Sequence, residues 1–142
     1  MKNHNTKTLL IILSCLLLLN LLCTSCSGGI NKNEAIACIE QFWNAIVIED
    51  YETAEALLHH DYYLDIPKYL STIESESGVD FQSGVCIEKY TGFSSSYYDS
   101  RVDGSRYELT MNAEIGTTTA TFIIEVVRNN NGFGIYHIDI NI

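Results

Sequence analysis

The spacing of apolar residues changes near Gly84, and this change restricts the fold more than any other feature of the chain. Before Gly84, apolar residues recur at intervals of three and four, which is typical of helices with one buried face. After Gly84 they alternate with polar residues, which is typical of half-buried strands. Helices followed by strands predict an α+β domain, in which the helices cover one face of an antiparallel sheet.

Three helices are predicted in the first part. Asn33, Asp50 and Asp65 each precede an apolar-periodic segment and carry side chains that can cap a helix N-terminus. Glycine commonly follows the last turn of a helix, so Gly78 is expected to close the third helix. The first helix has the broadest apolar face, which is formed by Ala35, Ile36, Ile39, Phe42, Trp43, Ile46 and Val47.

Four strands follow, and they are predicted to form an antiparallel meander. The first is an edge-like strand from Val85 to Tyr98, and Asp103-Gly104 is typical of a two-residue turn into the second. Residues 106–115 alternate strictly between polar and apolar. The third strand runs from Thr118 to Arg128, and the Asn-Asn-Asn-Gly run at 129–132 forms the next turn. The fourth strand is expected to place on one face Tyr136, Ile138, Ile140 and Ile142.

Residues 1–25 differ in composition from the rest of the chain. A basic start with Lys2 and Lys7 precedes a largely apolar run from Leu9 to Leu22, which is the order found in secretory signals. The run holds 14 residues, whereas a helix that crosses a bilayer needs about 20. We therefore expect residues 1–25 to be a signal peptide that is removed. The alternative is an uncleaved signal anchor.

The residues after this run, Cys23-Thr24-Ser25-Cys26, resemble the lipobox of bacterial lipoproteins. In that family, small residues precede a cysteine whose thiol receives a diacylglycerol before the leader is cut off. Thr24, Ser25 and Cys26 match this pattern, whereas Cys23 stands where leucine is usual. The resemblance implies a lipoprotein of the bacterial cell envelope that faces the periplasm or the exterior. Its anchor would be fatty acyl chains, such as palmitate, carried by Cys26.

The mature chain is expected to have two parts. Residues 26–32 are the lipidated cysteine and a flexible tether, and residues 33–142 are long enough for one domain. Residues 26–142 hold six basic against eighteen acidic residues, a formal charge of -12. Such a chain is not expected to bind nucleic acid, which needs clustered Lys or Arg. The expected partners are the lipid bilayer and a protein, which includes a second copy of the chain in a homodimer.

Cys38 and Cys86 are the only cysteines after Cys26, and in an exported protein they can form a disulfide. On a helical wheel, Cys38 lies on the flank of the apolar stripe of the first helix and is not an obvious core thiol. The sequence does not give the Cα separation that a disulfide requires, so the bridged and the free forms both stay open.

The segment Phe42-Trp43-Asn44-Ala45-Ile46, followed by Asp50-Tyr51-Glu52-Thr53-Ala54 and Leu57-Leu58, resembles the opening of nuclear transport factor 2-like domains. The resemblance covers residues 33–142 in element order, and many such domains are small bacterial lipoproteins. It implies a cone, in which a strongly bent four-stranded antiparallel sheet wraps the first helix and leaves a pocket at the open end. The family includes isomerases, dehydratases, ligand carriers and inert assembly modules, so the fold alone does not assign an activity.

Few residues suggest chemistry. His59, His60 and Asp61, with His137 and Asp139 on the last strand, form the one visible cluster of metal-binding or acid–base side chains. A zinc site needs three or four converging ligands, and nothing in the sequence brings these residues together. Exposed polar residues at a helix end are therefore the favoured interpretation, and no catalytic residue, metal or cofactor is predicted.

Two functions are weighed. The favoured one is a membrane-tethered, non-catalytic binding or accessory domain, for which the serine-rich segment from Phe93 to Ser100 is the best candidate contact edge. The alternative is a small-molecule pocket protein or an isomerase-like enzyme that uses the open end of the cone. Its pocket would be lined by Trp43, Tyr107 and Tyr136, although large aromatic residues more often fill a core.

Overall fold

The computed structural model describes residues 29–142, which form an α+β domain with a four-stranded antiparallel sheet. The predicted signal peptide and Cys26 lie outside the described residues. The helical elements are α1 (Lys32–Val47), α2 (Tyr51–Ala56), α3 (Ile66–Ser77) and a short 3-10 helix (Phe81–Ser83). The strands are β1 (Val85–Asp99), β2 (Gly104–Ile115), β3 (Thr118–Asn129) and β4 (Gly132–Asn141). None of the helices within residues 29–142 is both long and apolar enough to span a bilayer.

Helix α1 begins earlier than the sequence predicts. Its N-cap is Asn31 rather than Asn33, and the Asn31 side-chain oxygen accepts a hydrogen bond from the Glu34 backbone N–H at 3.0 Å. Ile30, directly before the cap, is 8% exposed and belongs to the hydrophobic core. The described fold therefore already includes Ile30, because its side chain is packed in the core.

The caps predicted for the other two helices are confirmed. Asp50 and Asp65 each accept a hydrogen bond at 3.1 Å from the backbone N–H three residues later. Gly78 ends α3 in the left-handed conformation, with φ of 74°. Helix α2 is shorter than expected because it ends at Ala56, before the two histidines, and the chain then turns to run beside the sheet.

The sheet is an open meander with strand order β1-β2-β3-β4. Burial alternates along the whole of β2, where the odd-numbered residues from Ser105 to Ile115 are buried and the even-numbered ones are partly exposed. The buried face joins α1 in one hydrophobic core. The sheet is neither closed nor strongly curled, so the strongly bent cone implied by the family resemblance is not confirmed.

One of the two predicted turns is confirmed and the other is corrected. Asn129 pairs with Gly132, which gives the expected tight connection between β3 and β4. Between β1 and β2, however, Asp99 pairs with Gly104, so the loop spans residues 100–103 and is not a two-residue turn at Asp103-Gly104. Asp103 still adopts a positive φ of 49°, which Asp tolerates better than most residues.

Strand β4 contains a bulge that changes which residues face the core. Glu125 of β3 pairs with His137, whereas the next residue of β3, Val126, pairs with Ile135, so Tyr136 is the extra residue. Ile135 is therefore fully buried, and Tyr136 is only partly buried. The prediction that Tyr136 continues the inward face of β4 is wrong, because strict alternation does not survive a bulge.

Aromatic rings from three elements meet around Trp43 in the core. The Trp43 ring centroid lies 4.8 Å from that of Phe122, 5.1 Å from Phe42 and 5.9 Å from Phe81. Trp43 is 2% exposed, and its indole N–H has no hydrogen-bond partner among the described residues. Trp43 therefore contributes to the fold through the packing of its ring in the core.

Candidate functional site

A polar cluster forms where the segment after α2 meets β4. The Ile135 N–H donates to the Leu57 carbonyl at 2.9 Å, and the His59 N–H donates to the Ile135 carbonyl at 2.8 Å. This parallel bridge requires a close backbone approach at Gly134, where an added Cβ would lie 2.7 Å from His59 N. Backbone pairing thus places His59 beside the β3–β4 turn.

His59 is buried at the centre of this cluster, with 1% of its surface exposed. Its Nδ1 accepts a hydrogen bond from the Asp61 backbone N–H at 3.1 Å. The ring proton of this tautomer therefore lies on Nε2, which donates to Asn129 Oδ1 at 3.0 Å. Because both ring nitrogens are engaged, His59 presents neither an acid nor a base to a substrate.

The Asp61 carboxylate is the exposed member of the cluster. It accepts hydrogen bonds from the side-chain amides of Asn131, at 3.0 Å, and Asn129, at 3.2 Å. These hydrogen bonds lower the pKa of Asp61, and the bond from Asn131 has the larger effect. The cluster therefore holds a fixed negative charge at the surface, suited to a cationic or N–H-bearing group of a partner.

Two surface depressions adjoin this cluster, and Asn131 lines both of them. One, of about 640 Å³, lies between the α2–α3 connection and the β3–β4 turn and includes His60 and Tyr62 in its lining. The other, of about 490 Å³, includes Asp61, Arg101 and Tyr136. Tyr62 lines the first depression and Tyr136 the second, and their ring centroids are 6.1 Å apart. Together these residues form a mixed aromatic and polar surface.

The three aromatic residues proposed to line a pocket are not brought together. Trp43 and Tyr107 are core residues, 2% and 6% exposed, and neither lines either depression. Tyr136 alone lines one of them. The sequence leaves open whether these aromatic residues line a pocket or fill the core. Trp43 and Tyr107 fill the core.

Of the residues in the predicted polar cluster, the structure brings His59 and Asp61 into contact. His59 is buried and His60 exposed, while His137 and Asp139 are exposed on β4. Among residues 29–142, no three His, Cys, Asp or Glu side chains lie close enough to hold a metal ion. Sequence reasoning missed Asn129 and Asn131 as partners of Asp61, although three consecutive asparagines are an available signal of side-chain hydrogen bonding.

Cys38 and Cys86 are both free thiols, so the disulfide left open above is not formed in this structure. Cys38 is buried in α1, contrary to the expectation from the helical wheel, because the chain after α2 covers that flank and brings the Leu57 carbonyl to 4.0 Å from Sγ. Burial, with the charge of Glu34 adding to it, raises the pKa of Cys38 to about 11. Cys86 is exposed on β1.

A charged network lies on the face of the sheet opposite α1. Arg106 Nη1 donates to Glu125 at 2.8 Å and to Glu108 at 3.1 Å. Its Nε lies 3.3 Å from Asp99 as an ion pair, without hydrogen-bond geometry. Arg101 Nη2 donates to Asp99 at 2.6 Å, and this hydrogen bonding lowers the pKa of Asp99 to about 2. The network ties the β1–β2 loop to the sheet.

Three exposed aromatic residues lie on β1, which is an edge strand. Phe93 is 69% exposed, Tyr97 73% and Tyr98 60%. The Phe93 ring stacks on Tyr107, with ring centroids 6.0 Å apart. The segment predicted to be an exposed edge, Phe93 to Ser100, therefore contributes large apolar surface at the rim of the sheet.

Comparison of this chain with protein-family models, with curated proteins and with solved structures found no match. The resemblances to lipoproteins and to nuclear transport factor 2-like domains therefore stay predictions from the sequence.

Proposed function

We propose that this chain is a lipoprotein of the bacterial cell envelope, held on a bilayer through acylated Cys26, with a folded part that acts as a non-catalytic binding or accessory domain. The observation that best supports this proposal is the order of sequence features at the N-terminus. A basic start is followed by a 14-residue apolar run and then by Thr24-Ser25-Cys26. Stable anchoring needs more than one lipid chain, and a diacylglycerol on Cys26 supplies two.

The arrangement of the polar side chains supports binding rather than catalysis. His59, the buried histidine, has both ring nitrogens engaged, by Asp61 and by Asn129. Acid–base catalysis needs such a group within reach of a substrate proton. The aromatic residues Trp43 and Tyr107, on which the alternative of a small-molecule pocket depends, are packed in the core.

Charge indicates what kind of protein partner the domain fits. The mature chain carries six basic against eighteen acidic residues, and the exposed Asp61 lines the same depression as Tyr136, whose ring stacks with that of Tyr62. An acidic surface with tyrosine rings is suited to a basic protein partner, since aromatic rings provide contact area and the charges steer encounter.

The nuclear transport factor 2-like fold is part of this proposal. Three helices followed by a four-stranded meander, with α1 packed on the apolar face, support it. The open and weakly curled sheet provides no support for the complete cone.

Mass spectrometry of the membrane-extracted protein tests the anchor. We expect a chain that lacks residues 1–25 and carries a diacylglycerol on Cys26. The Cys26→Ser variant should lose the lipid, whereas the matched Cys23→Ser variant should keep it. An intact Met1 with an unmodified Cys26 would contradict the proposal, and turnover of a small molecule by the purified protein would contradict its non-catalytic part.

A further inference from the structure

The distance between the proposed anchor and the folded domain is short. Ile30 is buried in the core, so only residues 27–29 separate Cys26 from the fold. An extended chain spans at most about 3.6 Å per residue, so this connection reaches no more than about 14 Å. A domain of about 100 residues has a radius of gyration of about 13 Å. The face from which the chain leaves must therefore stay near the bilayer.

That face is defined by contacts of Gly29. A Cβ added to Gly29 would lie 3.2 Å from Tyr97 Cδ2, so the chain leaves the fold against the ring of Tyr97. Tyr97 and Phe93 lie four residues apart on the edge strand β1, and both are about 70% exposed. The connection to Cys26 thus starts beside the two most exposed aromatic side chains of β1.

This edge also differs in charge from the rest of the molecule. Residues 90–98 contain no Asp, Glu, Lys, Arg or His, although the mature chain carries a formal charge of -12. The first acid after this stretch, Asp99, is paired with Arg101 and Arg106. An uncharged aromatic stretch enters a membrane interface without the cost of dehydrating an unpaired charge. Tyrosine rings are enriched at that depth, where water still hydrates exposed edge-strand backbone groups.

We propose that the β1 edge around Phe93 and Tyr97 lies in the interface of the bilayer that carries the anchor, so that the domain sits on the membrane in one orientation. This inference rests on the proposed lipid anchor and adds a second, non-covalent contact. The occupant is the headgroup region of neutral or zwitterionic lipid, because the acidic domain is repelled by an anionic surface.

The test uses the processed, lipidated protein in phosphatidylcholine vesicles that contain brominated acyl chains, which quench tryptophan fluorescence on contact. Phe93→Trp places the reporter on the proposed edge. Ile48→Trp is the matched control, because Ile48 is 72% exposed but follows the far end of the 16-residue helix α1, about 24 Å from its start. After subtraction of the buried Trp43 signal, we expect quenching several-fold stronger for Phe93→Trp than for Ile48→Trp.

Other outcomes separate the two proposals. Equal quenching of both reporters, or none, in protein that floats with the vesicles would overturn the oriented contact and leave the lipid anchor standing. If the protein extracted from membranes carries an unmodified Cys26, so that no lipidated protein is obtained for the vesicles, the anchor itself is overturned. Cross-linking between β1 edges without quenching would assign the edge to a second copy of the chain. Circular dichroism in vesicles without bromine establishes that both variants fold.

Discussion

Cys38 and Cys86 have the same side chain in opposite environments. Burial raises the pKa of Cys38 to about 11, whereas Cys86 is exposed on β1. Thiolate is the form that reacts with a chromogenic disulfide reagent. At pH 8 we therefore expect Cys86 of the native protein to react quickly and Cys38 to be protected. The measurement is thiol titration before and after denaturation in urea, on protein with residues 1–26 removed.

The expected result is one fast thiol in the native protein and two in urea. The Cys86→Ser variant should lose the fast thiol and keep the protected one. No titratable thiol in urea would mean that Cys38 and Cys86 are bridged, and two fast thiols in the native protein would mean that Cys38 is not buried.

Gly134 is needed for the backbone bridge that carries His59. A Cβ at this position would lie 2.7 Å from His59 N and 2.8 Å from the Leu57 oxygen, and backbone atoms do not move aside cheaply. We expect Gly134→Ala to lower the free energy of unfolding by about 2 kcal/mol or more, because overpacking and two strained hydrogen bonds add. Urea unfolding followed by Trp43 fluorescence measures this change.

The control for that variant is Gly92→Ala. Gly92 also lies on a strand, but its added Cβ would make ordinary contact with Thr110 Cβ at 3.6 Å. Its stability should stay within about 1 kcal/mol of the parent, since Ala costs less conformational entropy than Gly. Equal losses of stability at both positions would contradict this explanation. They would mean that any Gly→Ala change in a strand destabilises the protein, whether or not the segment after α2 lies close to it.

At the scale of elements, the parts that could be predicted depend on local chemistry. Asp50 and Asp65 bond backbone N–H groups three residues away, so their capping role is visible in the sequence. The bulge at Tyr136 depends on how β4 pairs with β3, and no local pattern marks it. The bond between His59 and Asn129 joins residues 70 positions apart, so the candidate site required the three-dimensional fold.

The β1–β2 loop should show an acid-dependent stability through Asp99. Hydrogen bonds from Arg101 lower the pKa of Asp99 from 3.8 to about 2, so folding favours the ionised carboxylate. Its contribution is complete above pH 4 and is lost as the pH falls from about 4 to about 2. The Asp99→Asn variant should therefore be less stable than the parent at pH 7, with the difference shrinking over that window.

Free energies of unfolding measured in urea between pH 7 and pH 2.5 check this dependence. The Arg101→Gln variant should reproduce part of the effect, and adding it to Asp99→Asn should cost little more, because both changes break the same bond. A difference between parent and Asp99→Asn that stays constant across the window would mean that Asp99 does not act through its charge.

For the whole molecule, Ile30 decides how the fold is joined to its proposed anchor. Its side chain is 8% exposed, so Ile30→Ala removes buried apolar volume and should lower the free energy of unfolding by about 2 kcal/mol. Ile48→Ala makes the same chemical change at a side chain that is 72% exposed, and little loss is expected there.

Equal, small effects of both alanine variants would mean that the chain before α1 is loose and that the connection to Cys26 is longer than three residues. The domain could then turn freely above the bilayer, and the β1 edge would have no reason to face it. A large effect of Ile30→Ala alone would place the start of the fold within about 14 Å of the proposed anchor. The same packing contact that stabilises the core would then also set the orientation of the domain on the membrane.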